Sequence, residues 1–178
     1  MTQRRQLRGT ELKRLHRSWG RRTERTLWLL LDSVQTPWNV GAIVRTAAAY
    51  KVDELLLVGP AAATPSHPRS RKTSLGTERY VHWTAFDEPG PAVASAHGAG
   101  LQVVGIELAE GAVALPDLEV GGNVCLALGH EDHGLSNATL ALCDRVAYIP
   151  QPGKVGSLNV ASAAAIALYE MRRREWSA

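Results

Sequence analysis

The residues best suited to chemistry fall in three short segments, each joining an apolar run to a helix-forming one. Asn39-Val40-Gly41 opens an alanine-rich stretch that carries Arg45. A guanidinium is a permanent cation with a fixed fork of donors, suited to phosphate and to developing oxyanion charge. Asn39 reads as the cap of that helix. Arg45 follows within two helical turns, which lets both side chains approach one ligand. The plainer alternative is an ordinary cap and a surface arginine. Gly129-His130-Glu131-Asp132-His133-Gly134-Leu135-Ser136 follows the apolar run Val124–Leu128. Glycine at a strand end lets a ligand approach the backbone, and open α/β sheets bind ligands at such ends. The alternative is a connecting turn with Ser136 as a helix cap. Ile149-Pro150-Gln151-Pro152-Gly153-Lys154-Val155-Gly156-Ser157-Leu158-Asn159 is a stiff loop entering a long helix, for which Ser157 alternatively serves only as the cap.

Other chemistries fail on spacing. Gly98-Ala99-Gly100 precedes its strand and lacks the third glycine of a dinucleotide fingerprint. A phosphate loop ending at Gly153-Lys154 would need glycine where Tyr148 stands. His130 and His133 are three apart, not the four of a zincin helix, and read as solvent-facing loop histidines. No GxSxG elbow is present. Cys125 and Cys143 are the only cysteines, so no four-cysteine zinc site exists within one chain, and no metal is expected.

The elements that must position these segments are apolar strands at Leu27–Asp32, Glu54–Val58, Leu101–Ile106, Val124–Leu128 and Val146–Ile149, with a shorter one at Tyr80–Trp83. Helical stretches lie at Asn39–Tyr50, Pro91–His97, Asn137–Cys143 and Leu158–Arg174. Pro37 breaks the chain, and Ala61–Thr77 reads mainly as loop. Alternating strands and helices predict an α/β fold with a mostly parallel sheet. The strands are apolar throughout, as when helices cover both faces.

The 178 residues suit one domain, and the formal charge is only +3. Its distribution is uneven. Residues 1–25 carry nine basic residues (Arg4, Arg5, Arg8, Lys13, Arg14, Arg17, Arg21, Arg22, Arg25) against Glu11 and Glu24, a net +7 that leaves −4 for the rest. A basic arm, residues 1–26, thus precedes a body at 27–178. The arm suits a polyanion, nucleic acid first; alternatively it is a solvated leader. The chain shows neither a signal-peptide core nor a membrane span, and a cytoplasmic location is expected.

Taken together, NVGAIVR, GHEDHGLS and IPQPGKVGSLNV resemble, in order, the three motifs of the SpoU (TrmH-like) class of SPOUT RNA methyltransferases. The resemblance spans about residues 27–172. It implies a C-terminal deep trefoil knot, a feature otherwise nearly absent from proteins. It also implies S-adenosyl-L-methionine (SAM) as cofactor, held by Glu107, Leu128, Gly129, Ile149, Ser157 and Leu158. The reaction implied is methylation of a ribose 2′-hydroxyl in structured RNA, tRNA or rRNA. Arg45 would be central to catalysis, with Asn39 orienting Arg45 or the ribose and Glu131, Ser157 and Asn159 holding loops and substrate. A homodimer is implied, with Ala161, Ala164 and Ala165 suited to pairing of the last helix with its twin. RNA would be gripped by the arm, through Arg14, Arg17, Arg21 and Arg22, and by Arg69, Arg71 and Lys72. Arg172–Arg174 would extend that surface, and Trp19 would stack bases, whereas Trp28 fits the core. Relatives with a large N-terminal RNA-binding domain differ from this chain in that respect. Competing readings are a catalytically silent RNA-binding protein of the same fold, a dehydrogenase, and a base methyltransferase.

Overall fold

The computed structural model describes residues 5–177; Arg4 of the basic arm lies outside them. Seven strands form one sheet: β1 (Leu27–Asp32), β2 (Glu54–Val58), β3 (His82–Phe86), β4 (Gln102–Ile106), β5 (Val113–Ala114), β6 (Val124–Leu128) and β7 (Arg145–Tyr148). Their order is β3-β2-β1-β6-β4-β7-β5, and the named strands pair in parallel throughout. Among the described residues six α-helices accompany them: α1 (Gly9–Gly20), α2 (Pro37–Ala49), α3 (Pro68–Ser74), α4 (Pro89–Gly98), α5 (Asn137–Leu142) and α6 (Val160–Ser177).

The apolar strands are buried because both sheet faces are covered, as expected for a parallel sheet. Leu29 and Leu31 pack with Ile43, Val44, Ala164 and Leu168 of α2 and α6. Leu30, one residue out of phase, packs on the other face with Ala92, Val93 and Ala96 of α4 and Leu135, with Trp28 half-buried alongside. The register of β1 on β6 pairs Leu31 with Leu128, and that of β4 on β7 pairs Ile106 with Ala147. The segments beyond β1, β6, β4 and β7 therefore emerge side by side at one edge of the sheet.

Several boundaries differ from expectation. Pro37 does not break the chain but begins α2, where its preset φ suits a first turn and its missing N–H costs nothing. The expected loop 61–77 contains α3. His67 Nδ1 accepts from the Arg69 N–H at 3.1 Å, Pro68 takes the first turn, and α2 provides a packing surface. That contact requires Gly41, since a Cβ there would strike Thr73 Oγ1 and the Ser70 carbonyl. Thr77–Tyr80 form a 3₁₀ turn, which moves β3 beyond the expected Tyr80–Trp83. The two-residue β5 had no signal of its own.

The chain end also differs. Arg172 is 1% exposed and faces no nucleic acid. Its guanidinium donates to the carbonyls of Tyr50 (2.8 Å), Arg25 (2.8 Å) and Lys51 (2.6 Å) and to Glu175 Oε2 (2.9 Å). A cation tolerates burial when its donors are matched this fully. Arg174 donates to Glu170 and to the carbonyls of Leu115, Pro116 and Leu118. Arg173 is exposed but held bidentate by Glu170. These three arginines fasten the end of α6 instead of extending a basic surface. Ala164 is likewise buried within its own core, whereas Ile166 and Tyr169 are the outward apolar residues of α6.

α1 buries no residue, yet its root is fixed. The Trp19 and Trp176 rings lie 4.9 Å apart, Arg22 sits 4.7 Å over Trp19 and donates to the Trp176 carbonyl at 2.8 Å, and Glu175 accepts from the Glu24 and Arg25 N–H groups.

Candidate active site

A cleft of about 310 Å³ opens where β6, β4 and β7 end. The six residues expected at a cofactor, Glu107, Leu128, Gly129, Ile149, Ser157 and Leu158, all line it, and so does Glu131. The loop after β6 closes on itself, with the His130 N–H donating to the Gly134 carbonyl at 2.9 Å and the Gly134 N–H to the His130 carbonyl at 3.0 Å. Glu107 fastens it by accepting from the Leu135 N–H at 2.9 Å, while its other oxygen takes the Leu108 N–H at 2.9 Å. Both glycines of this loop line the cleft, and they also make room for the chain's own atoms. A Cβ on Gly129 would strike the Gly134–Leu135 backbone, and one on Gly134 (φ +68°) would strike the Glu107 carboxylate.

Glu131 reaches from this loop to the N-terminus of α2. Its Oε1 accepts from the Thr36 N–H (2.9 Å) and Asn39 Nδ2 (3.0 Å), and its Oε2 from the Gln35 N–H (3.3 Å). A helix N-terminus presents unpaired N–H groups and a partial positive charge. Burial works to raise the carboxyl pKa, but the bonds from Asn39 and from backbone N–H groups outweigh it and hold it at about 2. Asn39 is therefore not the cap of α2. It sits in the first turn, Thr36 holds the cap position without a side-chain bond, and Glu131 satisfies the helix end from across the fold.

Asn39 also extends to the third segment. Its Oδ1 accepts from Asn159 Nδ2 at 3.0 Å, and Asn159 Oδ1 accepts from the Ala161 and Ser162 N–H groups at 2.9 and 3.3 Å. Asn159, not Ser157, caps α6. Ser157 is exposed on the cleft wall.

Arg45 does not join this chain of bonds. It is exposed, and neither a hydrogen bond nor an ion pair engages its side chain among the described residues. Six residues make about one and two-thirds turns, so Arg45 and Asn39 point about 120° apart around α2. Seven residues nearly complete two turns, and Arg45 shares its face with Trp38.

Sequence reasoning missed Asp32, buried at the end of β1. Its Oδ2 accepts from the Ser136 N–H (2.9 Å) and Thr139 Oγ1 (2.7 Å), and Oδ1 from Ser33 Oγ (3.1 Å). Burial would raise this carboxyl, but those bonds prevail and keep it below the usual range. The only signal was an acid closing a run of leucines. Ser136 caps α5, accepting from the Thr139 N–H at 3.2 Å.

His130 and His133 stack at 4.8 Å. His130 is half-buried in the cleft wall, and His133 alone faces solvent. Among the described residues no group of three or more His, Cys, Asp or Glu is placed to hold a metal. Cys125 is buried and Cys143 half-buried; burial pushes both thiols up, Cys143 to about 11, which leaves them unreactive. Of the residues expected at RNA, Arg14, Arg17, Arg21, Arg69, Arg71 and Lys72 are exposed. Arg22 is committed to Trp19 and Trp176, and Arg71 lies 3.4 Å from Glu78.

A carboxyl depressed by folding contributes stability above its unfolded pKa and loses it as pH falls toward the folded value. The Glu131 contribution is expected to fade from about pH 4.5, the ordinary value, to about 2. Glu131→Gln should lower stability at pH 7 by about 1–3 kcal/mol, because backbone N–H groups lose a charged acceptor. The gap between the two proteins should narrow across that acid window. Urea melts from pH 7 to pH 3 measure this, and a gap independent of pH would contradict the assignment.

Residues 26–169 match the SpoU rRNA Methylase family. The chain is similar to the 23S rRNA (guanosine-2′-O-)-methyltransferase RlmB of Acinetobacter baylyi, 36% identical over 85% of this chain and 61% of that protein. It is also similar to the tRNA (guanosine(18)-2′-O)-methyltransferase of Escherichia coli K12, 32% identical over 88% of this chain and 67% of that one. This chain thus spans about three-fifths to two-thirds of these relatives' lengths. The crystal structure of the SpoU methyltransferase AviRb from Streptomyces viridochromogenes, in complex with the cofactor AdoMet, aligns with a TM-score of 0.78 at 33% identity, over 86% of this chain and 59% of that one. Motif order, sheet topology and similarity along most of the length agree, and the chain belongs to the SpoU rRNA methylase family.

Proposed function

We propose that this chain transfers a methyl group from SAM to a ribose 2′-hydroxyl of structured RNA, tRNA or rRNA. The observation that carries this reading is the cleft at the ends of β4, β6 and β7, tied through Glu131 and Asn39 to the start of α6. The reading divides the chain into a basic arm, 1–26, and a methyltransferase domain, 27–178, carries the family's trefoil knot, and places the protein in the cytoplasm with its RNA. The AdoMet complex of AviRb supports the choice of cofactor.

The cleft suits a nucleoside-sized group. Its volume lies at the lower end of small-molecule sites, and Leu128, Ile149 and Leu158 offer apolar walls. When bound, SAM supplies a methyl group already electrophilic on its sulfonium. The protein's work is to present the hydroxyl oxygen and to stabilise charge as its proton leaves. Glu131 is unsuited to take that proton, since a carboxylate at about 2 is too weak a base near neutrality; it acts as a strut. Arg45 supplies a fixed cationic fork of donors instead. Its role is to orient the ribose and adjacent phosphate and to stabilise the developing alkoxide. Ser157 offers an exposed hydroxyl at the cleft to hold substrate in register.

A second copy completes the reading. Arg45 points away from its own Asn39, and Ile166 and Tyr169 leave apolar area on α6. Sedimentation should give a dimer at micromolar concentration; a monomer would remove the second copy from the mechanism. The arm contributes RNA affinity through Arg14, Arg17 and Arg21. Deleting residues 1–22 should weaken RNA binding and flatten its dependence on salt, and identical binding across a salt series would exclude that role. Arg45→Ala should reduce methyl transfer to RNA by about 100-fold or more while SAM binding by calorimetry changes little. Near-normal turnover in the purified variant would refute the assignment.

A further inference from the structure

We infer that Trp38 and Lys72 form a docking surface for the RNA strand beside the target nucleotide, with a nucleobase stacked on the Trp38 ring and a phosphate at Lys72. The inference rests on the methyltransferase reading and deepens it.

Trp38 immediately precedes Asn39 and is 46% exposed, a large apolar ring left in solvent beside the site. Its position is fixed. The backbone belongs to the first turn of α2, and its carbonyl accepts from Thr73 Oγ1 at 3.1 Å. Gly41 lets α3 close on α2 at this point. Lys72 Nζ lies 6.0 Å from the centre of the Trp38 ring. Arg45 stands on the same face of α2, about 10 Å further along the axis, within reach of neighbouring nucleotides of one strand.

Charge selects the occupant. Lys72 beside this ring is exposed, as are Arg69 and Arg71 on the same short helix and Arg45 on α2. The acid in their vicinity, Glu78, is already engaged, accepting from Ser74 Oγ at 2.6 Å and pairing with Arg71 at 3.4 Å. A second copy covering α3 would have to bring acids to match its cations, because burying them unpaired is costly. A single-stranded polyanion with flat bases meets both demands, because stacking on aromatic rings and ion pairing with lysine or arginine are how such strands bind. Of the outward residues of α6, Tyr169 lies toward the opposite end of α2, where it meets Tyr50 at 6.2 Å.

The test uses the full chain, SAM and total RNA from cells lacking the gene. Trp38→Ala should raise the RNA KM about tenfold, and Trp38→Phe, which keeps a π face, should stay within about threefold of the parent. The salt dependence of RNA binding should be unchanged in Trp38→Ala and reduced by about one ion in Lys72→Ala. Three outcomes overturn the inference: an unaltered KM in Trp38→Ala, an equal loss in Trp38→Phe, or a shift of Trp38→Ala to monomer in sedimentation, which would make the patch a contact between copies. Absence of methyl transfer by the parent protein would instead refute the methyltransferase reading, and filter binding of the same RNA would still report on the surface.

Discussion

The Glu131 carboxylate joins parts of the chain that share no sequence neighbourhood. It leaves the loop after β6, satisfies N–H groups at the start of α2, and through Asn39 is tied to the cap of α6. Each link is short and directional, and the central group is a charge that would be costly to hold in a half-buried place without donors. The cleft depends on this arrangement. Its walls come from the loops after β4 and β6 and from the segment entering α6, and the strut adds a polar tie between the last of these and the loop after β6.

Around that strut the fold repeats one device, a charged side chain that satisfies backbone groups at the end of a distant element. Asp32 at the end of β1 holds Ser136 and Thr139 at the start of α5. Glu107 holds the loop after β6. Asp144 accepts from the Val103 N–H at 2.7 Å. Arg172 gathers the carbonyls after α2 and before β1. Parallel strands end in loops that carry unpaired polar groups, and buried polar groups need partners. Carboxylates serve where N–H groups are in excess and arginine where carbonyls are.

Two surfaces follow from this division of labour. In the cleft wall the carboxylates of Glu107 and Glu131 are already spent within the chain, whereas Leu128, Ile149 and Leu158 supply apolar surface. Exposed cations on α1, Lys72 on α3 and Arg45 lie outside it. The residues that hold a small cofactor and those that meet a polyanion are thus drawn from different elements. α2 connects them, with Asn39 on the inward side and Trp38 and Arg45 on the outward side.

The sequence by itself determined the five long apolar strands, the parallel α/β class and the three segments that carry the chemistry. Apolar runs of this length have few other fates, and glycine and proline mark where they stop. The six cleft residues came from the resemblance of these segments to the family's motifs, and the structure brings them together along one cleft. Tertiary structure alone decided what the polar side chains do. Asn39 and Ser157 each stand where a cap belongs, yet Glu131 and Asn159 hold those helix ends. Arg172 belongs to a basic run and is buried. Asp32 closes a leucine strand and anchors a helix. A side chain's partner depends on which distant backbone group arrives beside it, and local spacing does not encode that. The glycines show the same limit: their positions were visible in the motifs, but only the packed loops show that Gly129, Gly134 and Gly41 make room for the chain's own atoms.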